Sequence, residues 1–305
     1  MKLIQSHTVP EGTEEIRLYD YVSSIFPDIP SRSAIKKHIT RGRILVNNGP
    51  AKTGTWVKPG QKIDWMDLEE TPPKQYHLNF DIVFQDDHLA VVNKPGGIPV
   101  SGNQFMTMQN ALIGKFEQSN ETDALQWAKP VHRLDAATCG LLIVAKTAKA
   151  MMLLGQMLEN KEIEKKYCAV VKGLVPEEGE INSPIEGKRS ETEYKNVYSV
   201  PSLRNGNLSL VDLYPKTGRT HQLRIHMSEA GHPIMGDVLY DREEEVFKGK
   251  GLFLCAMGLR FTHPITHESL VVQIDEPTKF DTLMKREEKR FNKYNQEEKE
   301  NGTDK

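Results

Sequence analysis

Apolar runs long enough to cross a bilayer are missing from this 305-residue chain; no stretch approaches the roughly 18 to 20 residues required. The opening residues, MKLIQSHTVPEGTEE, also lack the apolar core of a secretory signal. Cysteine is scarce. Cys139, Cys168 and Cys255 are three in number and form no C-x-x-C pair, which argues against both a disulfide framework and a zinc knuckle. Neither charge is in surplus: 40 Lys and Arg face 42 Asp and Glu, a net of −2. A nucleic-acid partner would therefore have to be held by a local basic patch and not by the field of the whole molecule. The expectation is a soluble, cytoplasmic protein with reduced thiols and no membrane partner. What is present is ordinary globular usage, 38% hydrophobic and 27% charged, on a chain long enough for two domains.

A first unit is expected over residues 14–70. Arg17, Leu18, Tyr21, Val22 and Ile25 recur at helical spacing. Ser31 is placed to cap a second, short helix to about Thr40, which turns at Gly42. Strands at Ile44–Val46 and Ile63–Trp65 follow, with Asn47-Asn48-Gly49 and Pro59-Gly60 as turns. Between Ser31 and Leu45 stand Arg32, Lys36, Lys37, Arg41 and Arg43 with no acidic residue among them. Arg32 and Lys36, and Lys37 and Arg41, are each four apart and form adjacent rows on a helix. On charge alone this face suits RNA phosphates about as well as it suits plain solvation.

Thr71-Pro72-Pro73-Lys74 reads as an extended linker, placed over residues 71–79, because proline continues neither helix nor ladder. A hairpin pattern follows, Ile82–Phe84 and Leu89–Val92 about Gln85-Asp86-Asp87, ending in Lys94-Pro95-Gly96-Gly97, whose glycines permit close approach of another chain or a ligand. Residues 140–145, GLLIVA, form an apolar run of strand length, and Thr147 caps a helix with Ala150, Leu154, Met157 and Leu158 on one face. His132-Arg133-Leu134-Asp135 is thus a charged loop entering a buried strand. Taken alone, Asp135 there is as well explained by pairing with Arg133 or capping a turn.

In YPKTGRTHQLRIHMSEAGHPIMGD, Thr220 is a candidate N-cap, Leu223, Met227 and Ala230 share a helical face, and Gly231 occupies a C′ position. Arg219 and Arg224 then add charge to the positive helix end, where an anion is favoured. His221 and His226 are five apart, roughly 140° around a helix, and cannot share a metal; they read as hydrogen-bonding or RNA-facing residues. In EKKYCAVVKG, Tyr167, Ala169 and Val171 alternate with Cys168 and Val170 as on a strand. Tyr167 by itself is equally a core aromatic with a wet hydroxyl.

These three pieces together resemble the RluA family of pseudouridine synthases over residues 81–277. The carrying motifs are HRLDAATCGL, GRTHQLR and KKYCA, supported by VVNKPGGIPV, GHPIMGD and LRFTHPIT. The departures are Cys139, where the family has serine, and Cys255, where it often has histidine. The resemblance implies cleavage of a uridine's N-glycosidic bond and rejoining through carbon 5, without cofactor or metal. It implies that Asp135 is the catalytic carboxylate, as nucleophile or in removing a ribose proton, that Arg224 pairs with it, and that Tyr167 stacks on the uracil. It further implies that His132, Arg133 and Arg219 assist base flipping and hold phosphates, since a stacked base is out of reach until extruded. The first unit resembles the alpha-L RNA-binding motif, which implies that Arg32, Lys36, Lys37 and Arg41 contact structured RNA. Large-subunit ribosomal RNA is the expected substrate, with transfer RNA as alternative, and a monomer is expected.

A lapsed enzyme retained for RNA binding would lack one of Asp135, Tyr167 and Arg224. A glycoside hydrolase would need a second acid near Asp135, for which Asp237 is the motif-linked candidate. The expected fold is α+β: a small N-terminal αβ RNA-binding module and a catalytic domain, residues 80–280, on a mixed, largely antiparallel sheet with flanking helices. Residues 281–305, with seven acidic and seven basic side chains, read as a solvated helix that frays.

Overall fold

A computed structural model describes residues 2–29, 31–67, 74–242, 247 and 249–302. The chain divides into two compact units, residues 1–72 and 73–305. In the first, strands β1 (Lys2–Thr8) and β2 (Ile16–Arg17) precede helices α1 (Leu18–Ile25) and α2 (Arg32–Thr40). Strands β3 (Ile44–Val46), β4 (Gly49–Pro50), β5 (Trp56–Val57) and β6 (Lys62–Asp67) follow. The sheet order is β1-β6-β3-β4, with β2 and β5 paired separately. Ser31 accepts the Ala34 N–H at 3.2 Å and caps α2 as the sequence predicts. Asn47 and Asn48 both have positive φ, 48° and 64°, the conformation a two-residue hairpin turn requires. Ile35 and Ile39 turn inward onto Leu18, Val22, Phe26, Ile44 and Ile63, leaving the basic face of α2 outside.

The unit starts earlier than residue 14. Strand β1 runs antiparallel to β6 from Lys2 onward; its adjacent Leu3 and Ile4 are both exposed, so no alternating pattern announces it. At the other end, the expected linker falls partly on residues 68–73, outside the described residues. Residues 74–79 are no free tether: the Tyr76 N–H donates to Asn110 O at 3.1 Å and Leu78 packs on the second unit's core.

The second unit contains β7 (Asp81–Gln85), β8 (Leu89–Lys94), α3 (Met108–Ala111), β9 (Ala124–Pro130), β10 (Cys139–Thr147) and α4 (Ala148–Glu159). It continues with β11 (Glu164–Lys172), β12 (Glu178–Ile181), β13 (Thr192–Ser202), β14 (Gly206–Pro215), α5 (Gln222–Glu229), β15 (Leu254–Thr262), β16 (Ser269–Gln273) and α6 (Thr278–Gly302). One ten-stranded sheet runs β12-β13-β14-β11-β15-β10-β8-β7, with β16 beside β15 and β9 beside β10. All pairings are antiparallel except β10 with β15, joined at Cys139–Cys255 and Gly140–Ala256. The α+β architecture is thus the expected one. At that parallel junction a Cβ on Gly140, whose φ is 110°, would collide with the Ala256 backbone; only glycine lets the two strands approach.

Strand β10 is the apolar run. Leu141 to Ala145 are fully buried, and Thr147 accepts the Ala150 N–H to start α4. The β7–β8 hairpin turns one residue later than expected, because Asp86 Oδ1 accepts the N–H groups of His88 and Leu89 and fixes the bend there. The C-terminal segment departs further from the reading of a solvated, fraying helix. In α6, Phe280, Leu283 and Met284 are buried in the core, and Glu287 accepts the Ser202 hydroxyl at 2.8 Å. Its few apolar residues fall on one stripe, and that stripe suffices to dock it. Residues 303–305 lie outside the described residues.

Candidate active site

The loop between β9 and β10 carries His132 to Thr138, and it is braced from behind. Lys94, at the end of β8, is fully buried and its ammonium donates to Pro95 O at 2.8 Å and to Ala136 O at 3.1 Å. The Gly97 N–H donates to the same Ala136 oxygen at 2.7 Å. A Cβ on Gly96 would lie 3.1 Å from Ala137 O, so the close approach foreseen for the glycines is to this loop. Burial pushes the Lys94 ammonium down to about 8, against the opposing pull of Cys139 and Asp135. None of this was readable from Lys94-Pro95-Gly96-Gly97 alone.

Held this way, Asp135 lines a cavity of about 880 Å³ together with Tyr167, His221 and Arg224, roomy enough for a nucleotide. Arg224 Nη1 is 3.6 Å from Asp135 Oδ2, and His221 Nε2 is 3.7 Å from Oδ1. The principal partner of Arg224 is another residue: its Nε and Nη2 donate to the two oxygens of Asp237, both at 2.7 Å. This fork geometry is the strong form of the pair. Asp237 also accepts the N–H groups of Leu239 and Tyr240. Burial raises the Asp237 carboxyl, but the Arg224 hydrogen bonds and these N–H groups outweigh it and hold the group below the ordinary range. A carboxylate so clamped has no proton to give, which disposes of Asp237 as the second acid of a hydrolase.

Helix α5 opens differently from the Thr220 cap expected. His221 is the N-cap, in left-handed conformation with φ 56° and no side-chain cap bond. Such a conformation in a non-glycine residue costs about 1 kcal/mol or more and needs support. The support is a hydrogen bond between His221 Nδ1 and the Tyr240 hydroxyl at 2.8 Å. Tyr240 also lies under Arg224, 5.0 Å from guanidinium carbon to ring centre. Tyr240 is thus a site residue that sequence reasoning missed, and His221, expected only as a hydrogen-bonding or RNA-facing residue, stands beside Asp135. Gly231 takes the C′ position foreseen, with φ 84°.

Tyr167, on β11, packs its ring against buried core residues. Burial first, then the negative charge of Asp135, push its hydroxyl well up; it stays a protonated phenol at any working pH. His132 departs from the expectation of a phosphate-holding cation. Its Nε2 accepts the Ile143 N–H at 3.0 Å, and burial, with the Lys165 charge, pushes it down to about 3. It is a neutral brace. Arg133 is exposed at the cavity mouth and Arg219, also exposed, donates from Nε to Arg189 O at 3.1 Å. His226 is buried between Thr192 and Ser183 O. Among the described residues, no group of three or more His, Cys, Asp or Glu side chains could hold a metal ion.

Behind the loop, the Cys139 thiol donates to Leu254 O at 3.5 Å. Its hydrogen bond with Cys255 pushes it down to about 7 and pushes Cys255 up. The two departures from the family pattern therefore meet each other. In the first unit, Arg32, Lys36, Lys37 and Arg41 are all exposed. Arg32 has a loose acidic partner after all, Asp20 at 3.9 Å, contributed by α1 and so invisible in the α2 segment.

Residues 88–229 match the family model described as RNA pseudouridylate synthase. The dual-specificity RNA pseudouridine synthase RluA of Haemophilus influenzae is 36% identical, over 67% of this chain and 95% of its own. The ribosomal large subunit pseudouridine synthase D of Neisseria meningitidis serogroup A is 32% identical, over 88% of this chain and 78% of its own. Among solved structures, human RNA pseudouridylate synthase domain containing 1 superposes with a TM-score of 0.55 at 26% identity, covering 65% of this chain and 84% of that one. No helix among the described residues is long and apolar enough to cross a membrane.

Proposed function

The chain belongs to the RluA family of RNA pseudouridine synthases, and on that premise we propose that it isomerises uridines in structured RNA, with large-subunit ribosomal RNA as substrate and Asp135 as catalytic carboxylate. The observation carrying this reading is the Asp135 carboxylate in a nucleotide-sized cavity, between the Arg224 guanidinium and His221, with the Tyr167 ring in the same wall. A target uridine leaves its stack, at a cost of a few kcal/mol, and lays its uracil on Tyr167. Asp135 attacks carbon 1′ of the ribose or removes a ribose proton; the base detaches, turns, and is rejoined through carbon 5. Arg224, fixed by Asp237, holds the Asp135 carboxylate aimed into the cavity without itself moving. The Tyr167 phenol, held protonated, serves as a stacking surface and hydrogen-bond donor. Arg133 and Arg219 hold flanking phosphates at the rim.

The substrate class is supported by the first unit. The second unit is about three quarters of the chain, so the match to the large-subunit enzyme over 88% of it extends into the basic module. Arg32, Lys36, Lys37 and Arg41 would hold RNA phosphates there, in the manner of the alpha-L motif. Pseudouridine mapping in total RNA from a deletion strain and its complement tests the reading. The expected result is loss of one or a few large-subunit ribosomal sites, restored by the parent gene and not by Asp135→Asn. Sites lost in transfer RNA would favour the second substrate class, and an unchanged map would overturn both.

A further inference from the structure

Of the cavity-wall cations this mechanism leaves unused, Lys161 and Lys216 are exposed and Lys165 is half-buried. Strand alternation separates the two lysines before Tyr167. Lys166 faces away and is neutralised by Asp212, Nζ to Oδ2 at 2.8 Å. Lys165 shares the cavity face with Tyr167, His132 and Asp135, two residues and so about 6.6 Å along the strand from the tyrosine. It has no ion pair among the described residues, although Glu159 and Glu164 line the same cavity. His132 gives it no compensation, being a neutral acceptor of the Ile143 N–H. Burial lowers its ammonium's hold on the proton. A half-buried, unpaired cation is costly and is explained where an anion arrives beside it.

The reaction generates such an anion. Heterolysis of the carbon 1′–N1 bond leaves the bonding pair on uracil, spread over N1, O2 and O4, while Asp135 bonds to carbon 1′ or takes a ribose proton. Carbon 5 then bonds to carbon 1′, Asp135 is released or returns its proton, carbon 5 loses its hydrogen as a proton, and N1 gains one. Nothing is consumed. We propose that Lys165 is a further catalytic residue, whose ammonium contacts a carbonyl oxygen of the detached uracil and stabilises its negative charge until the new bond forms. The exposed rim cations Arg133, Lys161 and Arg219 suit phosphates, which stay hydrated. Lys165 sits deeper, where excluded water makes one fixed charge count for most.

The inference rests on the functional reading above, and single-turnover kinetics on a ribosomal RNA fragment separate the two. Lys165→Met keeps the apolar stem and removes the charge. It should lower the maximal rate about 100-fold or more, the loss seen when one preorganised donor to developing charge is removed, with KM within a few-fold. Lys165→Arg should restore most of the rate, and Lys161→Met should move KM only. Should Lys165→Met fail to fold, Lys165→Gln carries the same comparison. A raised KM with unchanged maximal rate would make Lys165 a phosphate contact and overturn the proposal, as would a parent-like Lys165→Met. A parent protein that forms no pseudouridine would instead overturn the functional reading, and this inference with it.

Discussion

Replacing Arg224 with Met should unfold the second unit far more readily than any change to Asp135. The guanidinium occupies a buried position, and Asp237, whose side chain is fully buried, takes two 2.7 Å charge-assisted bonds from it. Removing the arginine strands a buried carboxylate, and breaking a buried pair on one side costs about 3–5 kcal/mol. At a urea dependence of about 3 kcal/mol per molar for a domain of this size, the midpoint should fall by about 1 M or more. The remaining N–H groups of Leu239 and Tyr240 soften the loss without cancelling it. Arg224→Lys keeps a point charge but loses the fork and should fall between parent and Met variant. Adding Asp237→Leu to Arg224→Met removes the stranded charge, so the double variant should be more stable than the two single costs predict, by about 2 kcal/mol. Urea unfolding followed by fluorescence and circular dichroism gives all four corners of the cycle. An Arg224→Met midpoint equal to the parent's, or strictly additive costs, would refute the view that this pair carries the α5 end of the site.

Three further outcomes follow from other parts of the molecule. His132, pushed down to about 3 against 6.5 in an open chain, lets the unfolded state bind more protons between those values. Its contribution is complete above pH 6.5 and lost as pH falls toward 3, at most ~5 kcal/mol; His132→Gln should flatten the acid limb of a stability–pH curve, and an unchanged limb would contradict the buried acceptor role. Tyr167→Phe keeps the ring, so RNA should bind within a few-fold of the parent while product formation is impaired; full activity would deny the hydroxyl any chemical part. Neutralising Arg32, Lys36, Lys37 and Arg41 together should lower the slope of log affinity on log salt by roughly two to four units with maximal rate intact, whereas an unchanged slope would make this face structural.

Much of this was legible in the chain because the signals are local. The β10 run, the Ser31 and Thr147 caps and the Asn47-Asn48 turn are decided by neighbours within four residues, and the structure places each where its chemistry calls for it. The three motifs bearing Asp135, Tyr167 and Arg224 also converge on one cavity. What the sequence withheld is tertiary. Asp237 lies thirteen residues from Arg224, and nothing in MGD says that its oxygens form the guanidinium's seat. Lys94 holds the Asp135 loop through Ala136 O, forty-two residues away. The spacing of His221 to His226 speaks only to a shared metal, whereas His221 works from a left-handed cap that precedes the helix. His132 reads as a cation on paper and is made neutral by its burial and by Lys165. Strand β1 docks through its backbone ladder to β6 with most side chains exposed, and helix α6 by a few buried side chains, so neither raises a strong periodic signal.

The most direct test of the central claim is conversion of uridine in a large-subunit ribosomal RNA transcript by the purified protein and by Asp135→Asn, read as pseudouridine formed and as free uracil released. Asparagine keeps the shape and loses the charge and nucleophile. Pseudouridine without free uracil is expected from the parent, and none from the variant, whose affinity for the RNA stays within a few-fold. Appreciable pseudouridine from Asp135→Asn would contradict it, as would free uracil as the parent's product.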